Sequence, residues 1–523
     1  MTARSKLDRL RGGAWDTALW ALLAALLPTM AALSFDFGIT WDEHFHVTYG
    51  NMVYNYFASG FRDTAALDYL SLYLYGGLFD LICTLGRKLL PFLQEYDARH
   101  LLNSVFGWTV ILYAALLARR VFGAPAGLAA ALFLVLSPAF FGHCMNNPKD
   151  IPFAAFFLMA LYFLSRLKNV YPYATARNAA AIIAATALAL NIRVGGLILI
   201  FYAGLYVLAL ALGDAGCRRP GRWCKLAAGF GLCAALAMVL GTLFWPWALQ
   251  NPLVRPVQAL AQLSRFPLDF QEIYAGEIIH TTNLPWDYIL RWFAITTPLG
   301  VLVLTLAAPL FYLRRQPGAN AALCLAFAAL FPVGYVVARH AVLYNGFRHL
   351  LFVYPLFAIL AAGSFAALLR EGTGRRTRVA VALLVVGLGF YHPARFHLVN
   401  HPNQAVYFNQ FVGGVRGAFL RYDLDYWGNS YKQAVDRLEK IARMNNQTIV
   451  FNAGLGGHVA GYYSLRFPNL RYIRGENAPY TLELVLGGAE LVETLDKGFK
   501  IDAIEADGAP LCLIKMCVGQ AFP

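Results

Sequence analysis

The chain has 523 residues, of which 59% are hydrophobic and only 14% charged, where an ordinary soluble domain carries about a quarter charged residues. That composition excludes a soluble globular protein and indicates a membrane protein. The formal net charge of +14 would suit nucleic acid, but the basic residues cluster in short breaks between apolar runs (Arg4, Lys6, Arg9 and Arg11; Arg119 and Arg120; Arg166, Lys168 and Arg177; Arg218, Arg219, Arg222 and Lys225; Arg314 and Arg315; Arg370, Arg375, Arg376 and Arg378), a positive-inside pattern whose partners are membrane lipids rather than nucleic acid.

In chain order, a basic start followed by an apolar run over about residues 15–34 reads as a retained signal anchor with a cytoplasmic N-terminus. Residues 36–96 are then external; "WDEHFHVTYGNMVYNYF" and "YLSLYLYGGLFDLICTLGRKLLPFL" are aromatic-rich and amphipathic, as in helices lying in the interface. Further spans are expected at about 100–118, 124–141, 152–165, 178–192, 196–212, 226–245, 293–313, 319–337, 349–369 and 379–391, about eleven in all. A second external segment, 246–291, carries Arg265, Glu272, Tyr274, Glu277, His280 and Trp286 and reads as a lid. Residues 1–391 thus form a transmembrane module.

The tail, 392–523, is of another kind. "SYKQAVDRLEKIARM" has apolar residues at helical spacing, "TIVFNA" is a β-branched strand between Asn and Gly, and "LRYIRG", "AELVETL" and "PLCLIKMCV" alternate. The fold class is therefore mainly α and polytopic, with a small external α/β domain at the C-terminus. The eight cysteines form no CxxC pair, and a Cys512–Cys517 disulfide stays open.

Trp41-Asp42-Glu43 puts two acids just outside the first span; one carboxylate at a cavity mouth can act as general base while its neighbour braces. His44 and His46 follow, and Glu43, His44, His46 and His143 are weak candidates to hold a divalent metal, since their spacing is no zinc signature. Asp150 in "NNPKDIPF" is a second external acid and also a fitting helix cap, with Lys149 beside it as a surface cation. Arg193 between two short spans and Arg348-His349 at the start of a late span are charges at costly depths, and a lipid phosphate is a natural partner for Arg. Tyr344 and Asn345 add donors in "YNGFRHLLFVYP".

These motifs together, with "HPNQAVYFNQFVGGVRGAFLRYDLDYWGNSYKQAVDRL" after the last span, resemble the GT-C glycosyltransferases, and most of all the branch of dolichyl-phosphate-mannose protein mannosyltransferases and aminoarabinose transferases. The resemblance covers most of residues 15–440. It implies an integral protein of the bacterial inner (plasma) membrane that takes a hexose or pentose from a polyprenyl-phosphate carrier to a lipid, glycan or protein acceptor on the periplasmic face, with inversion. It implies Asp42 as base, Glu43 beside it, Asp150 as the second acid, and Arg348, with Arg193 and Lys149, at the carrier phosphate. A transporter or flippase for a lipid-linked glycan shares the many spans and buried arginines but accounts poorly for the paired external acids and the large external domain; a polymerase or ligase that transfers whole glycans shares the fold question and stays open.

Overall fold

The computed structural model describes residues 3–167, 175–214, 220–264, 268–312, 318–370, 374–475, 478–486 and 498–517. Lys168, Arg218, Arg219, Arg265, Arg314, Arg315 and the segment "AELVETL" lie outside the described residues.

Long apolar runs make helices because a backbone in lipid must satisfy its own polar groups. Helix α1 (Ala3–Leu33) leads into the first loop, which holds α2 (Glu43–Ala58) and α3 (Leu78–Leu89). Then follow α4 (Glu95–Phe122), α5 (Ala124–Val135), α6 (Pro138–Asn146), α7 (Asp150–Arg166), α8 (Ala176–Leu190), α9 (Leu197–Leu212) and α10 (Pro220–Leu240). The second loop contains α11 (Pro246–Leu249), α12 (Arg255–Leu263) and a hairpin of β1 (Gln271–Tyr274) and β2 (Glu277–His280). Ala275 and Gly276 both take left-handed backbone at its two-residue turn, the geometry a tight hairpin requires. The module closes with α13 (Tyr288–Thr296), α14 (Leu299–Leu306), α15 (Ala308–Tyr312), α16 (Ala319–Ala338), a 3₁₀ turn (Arg348–Val353), α17 (Tyr354–Arg370) and α18 (Arg375–Val399).

Among the described residues, seven helices are long and apolar enough to cross a membrane, or up to nine if each of two bent pairs is one span. The pairs bend by 73° between α5 and α6 and by 119° after α13, each just before a proline, Pro138 and Pro298. The two remaining expected spans, 152–165 and 178–192, form α7 and α8, of 17 and 15 residues. That is short of the roughly 20 needed to span hydrocarbon. The protein is an integral membrane protein. Its core centres on α4 and α17, around which α1, α5, α7 and α14 pack.

Beyond α18, α19 (Gly414–Ala418) still packs on this core. Helices α20 (Tyr431–Met444) and α21 (Gly457–Ser464) then join a five-stranded sheet ordered β4-β3-β5-β7-β6. Its strands are β3 (Ile449–Ala453), β4 (Leu470–Tyr472), β5 (Tyr480–Leu484), β6 (Phe499–Ala506) and β7 (Ala509–Met516). Strand β3 runs parallel to β4 and β5, and β7 is antiparallel to β5 and β6. This unit has its own core, to which Ile39 and Tyr96 of the membrane module contribute. Cys512 is buried in β7 while Cys517 is exposed, and both are free thiols.

Docking of this unit fixes the first loop. Tyr463 Oη accepts from Ile39 N at 2.8 Å, and Asn429 Oδ1 accepts from Gly38 N at 2.8 Å. A Cβ at position 38 would stand 2.9 Å from the Asn429 carbonyl carbon, so the close approach requires glycine.

Candidate active site

The first loop positions its two acids oppositely. Glu43 opens α2 and turns inward, where it is 1% exposed at the side chain: its Oε2 accepts from Thr40 N at 2.8 Å and from Thr40 Oγ1 at 3.2 Å, and lies 3.1 Å from His100 Nε2. Glu reaching back three residues to a Thr N–H is half of a capping box, so the Thr40-x-x-Glu43 spacing was a readable signal for Glu43 as a brace. Asp42 makes no side-chain cap, and its carboxylate, 32% exposed, faces a cavity of about 700 Å³.

That cavity is walled by the first loop (Trp41, Asp42, Phe45, His46), residues 70–75, Lys149, the approach to β1 (Leu268, Phe270, Gln271), Tyr344 to Arg348, Asp423 and Tyr426, and by Leu455 and Leu486 of the C-terminal unit. The middle of the second loop thus forms part of the cavity wall. Arg348 Nη1 donates to Asp42 Oδ2 at 3.3 Å, and its guanidinium lies 4.7 Å from the Tyr344 ring centre and 5.0 Å from that of Trp427. Its Nε is buried with no partner among the described residues. Lys149 Nζ rests 4.7 Å from the Tyr75 ring centre. Burial would raise the Asp42 carboxyl, but the charges of Arg348 and Lys149 outweigh it and hold the group below its usual range. Burial moves the Lys149 amine below its usual value, against the pull of Asp42.

Tyr344 and His46 also line the cavity, whereas Glu43, His44, His143, Asp150, Arg193 and His349 do not. Asp150 is ion-paired with Arg193 and accepts from Asn147 Nδ2 at 2.9 Å. It does not cap α7; Asn147 Oδ1 does, accepting from Asp150 N at 3.0 Å. His349 packs edge-on against Tyr344 at 4.4 Å. The weak metal candidates are not brought together: among the described residues no three His, Cys, Asp or Glu side chains group to hold an ion. Glu43, His44 and His46 are spread around α2 by its 100° per residue. His44 is exposed against His458, His46 meets Asp80, and His143 stacks edge-on with Trp427.

Sequence reasoning missed a buried chain beneath the cavity. His46 Nδ1 lies 2.9 Å from Asp80 Oδ2, and Arg99 Nη2 donates to Asp80 Oδ1 at 2.5 Å. A charge inside an apolar run is the available signal for Asp80, in "GGLFDLICTL"; Arg99 lies in the polar stretch "QEYDARH" and carries none. It also left Glu272 without a role. The structure places this residue behind the cavity, accepting from Tyr288 Oη at 2.7 Å and Asn345 N at 2.5 Å.

The acid-and-cation cavity lies at the end of a helical bundle and beneath an α/β unit, and the fold is similar to that of known GT-C membrane glycosyltransferases. Residues 78–245 match the family model described as dolichyl-phosphate-mannose-protein mannosyltransferase. No curated protein is matched by the sequence. Among solved structures, the chain is similar to apo ArnT from Cupriavidus metallidurans, with 16% identity over 95% of this chain and 98% of that one and a TM-score of 0.51. ArnT bound to undecaprenyl phosphate gives 17% identity over 94% and 97% with a TM-score of 0.49. The oligosaccharyltransferase AglB from Archaeoglobus fulgidus gives 12% identity over 88% and 69% with a TM-score of 0.47. At such identities the likeness to ArnT speaks for the fold.

Proposed function

We propose that this protein transfers a sugar from a polyprenyl-phosphate carrier to a hydroxyl-bearing lipid, glycan or protein acceptor on the outer face of a bacterial inner membrane. The observation that carries the reading is the Asp42 carboxylate, presented to a cavity of about 700 Å³ together with Arg348 and Lys149. The match of residues 78–245 to a family that uses a lipid-phosphate sugar supports it.

The chemistry follows from the charges. Asp42 orients the acceptor hydroxyl and draws on its proton as the oxygen attacks the anomeric carbon. The carrier phosphate departs on the opposite side, so the carbon inverts. Arg348, its position fixed between Tyr344 and Trp427, and Lys149, on Tyr75, stabilise the charge that grows on that phosphate. Arg348 is tied to Asp42 only until a phosphate competes for it. Arg193 balances Asp150 behind Tyr75 and supports this wall.

The test is release and transfer of labelled sugar from synthetic polyprenyl-phosphate hexoses and pentoses by purified protein given an envelope extract. Transfer is expected, with Arg348→Ala weakening carrier binding or turnover at least tenfold. Absence of transfer from every carrier sugar, or full activity in Arg348→Ala, overturns the reading.

A further inference from the structure

Asp42 is a poor place for a proton to stay. The cations that hold its carboxyl below the usual range also make it a weak base, whereas an effective proton acceptor ionises near the working pH. One helical turn onward, His46 N donates to Asp42 O at 3.3 Å, so both side chains sit on the same face of α2, and both line the cavity. His46 is 2% exposed. Its Nδ1 is occupied by Asp80, which fixes the tautomer with the proton on Nδ1 and leaves Nε2 with a lone pair. That Nε2 is buried and has no partner among the described residues. A buried polar atom left unsatisfied asks for an explanation. Charge balance does not supply one, because Arg99 already neutralises Asp80.

We propose that His46 Nε2 is the terminal acceptor of the hydroxyl proton during transfer, with Asp80 as its positioning residue. The inference rests on the transferase reading. In the step, the acceptor oxygen bonds to the anomeric carbon, the bond from that carbon to the phosphate oxygen breaks, and its electron pair leaves with the carrier phosphate. The hydroxyl proton passes to Asp42 and on to His46 Nε2. The imidazolium so formed is balanced by Asp80, and because Nε2 is buried its proton leaves by the same route, through Asp42 to water in the cavity. The groups facing His46 are Asp42 ahead of its own helix, Asp80 from α3, Arg99 from α4 and Lys149 ahead of α7. Burial, Lys149 and Arg99 favour the neutral imidazole needed at the outset, and Asp80 opposes them.

The experiment is the rate of transfer from labelled carrier between pH 5 and pH 9, with carrier binding measured separately, for the unaltered protein, His46→Gln and Asp80→Asn. The unaltered protein is expected to gain rate as one group loses a proton and then to level off. His46→Gln should lose about 100-fold or more in kcat and lose that ionisation, with carrier affinity unchanged. Asp80→Asn should displace the ionisation. A His46→Gln protein with the original rate and profile overturns the proposal, and so does a flat profile in the unaltered protein, which decides the matter if neither variant folds. If the unaltered protein transfers from no carrier, the transferase reading falls instead. Nitrogen-15 histidine spectra give a readout free of turnover: His46 should carry its proton on Nδ1, and an Nε2–H tautomer contradicts the proposal.

Discussion

Asp42 and Glu43 are neighbours in the chain with opposite surroundings, and substitutions should separate them. Glu43→Gln keeps the shape but weakens three contacts to Thr40 and His100, so it should cost about 1–3 kcal/mol of stability, read in thermal melts, with a smaller effect on turnover. Asp42→Asn removes the ion-pair partner of buried Arg348, so it should lower the melt modestly and lower turnover far more than Glu43→Gln does. The Asp150–Arg193 pair makes a second contrast. Asp150→Ala strands a largely buried Arg193 and should cost about 3 kcal/mol, and adding Arg193→Met should recover part of it. A double variant as unstable as the sum of the singles would argue against pairing as the role of Asp150. Single acids and cations at costly positions were legible in the sequence, and Asp42, Lys149 and Arg348 indeed meet at one cavity. What they pair with was not: Arg99 reaches Asp80 across 19 residues and Arg193 reaches Asp150 across 43, and no local spacing encodes such partners.

The β1–β2 hairpin has a pH dependence of its own. Burial, then the charge of Asp423, pushes the Glu272 carboxyl up to about 7, while in the unfolded chain it ionises near about 4.3. Between those values the folded protein holds a proton that the unfolded chain has lost. The stability that proton provides is full below about pH 4 and is lost as pH rises toward 7, at about 1.4 kcal/mol per unit of difference. Melts at pH 5 and pH 7.5 should therefore differ less in Glu272→Gln than in the unaltered protein; an unchanged difference contradicts this account. Helix α20 and strand β3 were readable from periodicity, because each buries one face at a regular interval. The bends before Pro138 and Pro298 were not, because a run of apolar residues looks continuous whether or not its helix turns.

At the scale of the molecule, the C-terminal unit roofs the cavity and pins the first loop through Gly38, Ile39 and the Lys432 amine on the Phe35 carbonyl. Tyr463→Phe leaves Ile39 N buried without an acceptor and should cost about 1–3 kcal/mol while lowering transfer, since the loop bearing Asp42 loosens. Sidedness can be read from the native thiols. In the proposed orientation, a membrane-impermeant maleimide added outside should label exposed Cys517 and spare Cys224 at the cytoplasmic end of α10, and the reverse pattern would invert the topology. The most direct measurement of the central claim is single-turnover transfer from saturating labelled polyprenyl-phosphate sugar by Asp42→Asn, with carrier binding measured alongside. The account predicts a loss of about 10²–10⁴-fold in rate with binding retained; a near-normal rate would contradict it.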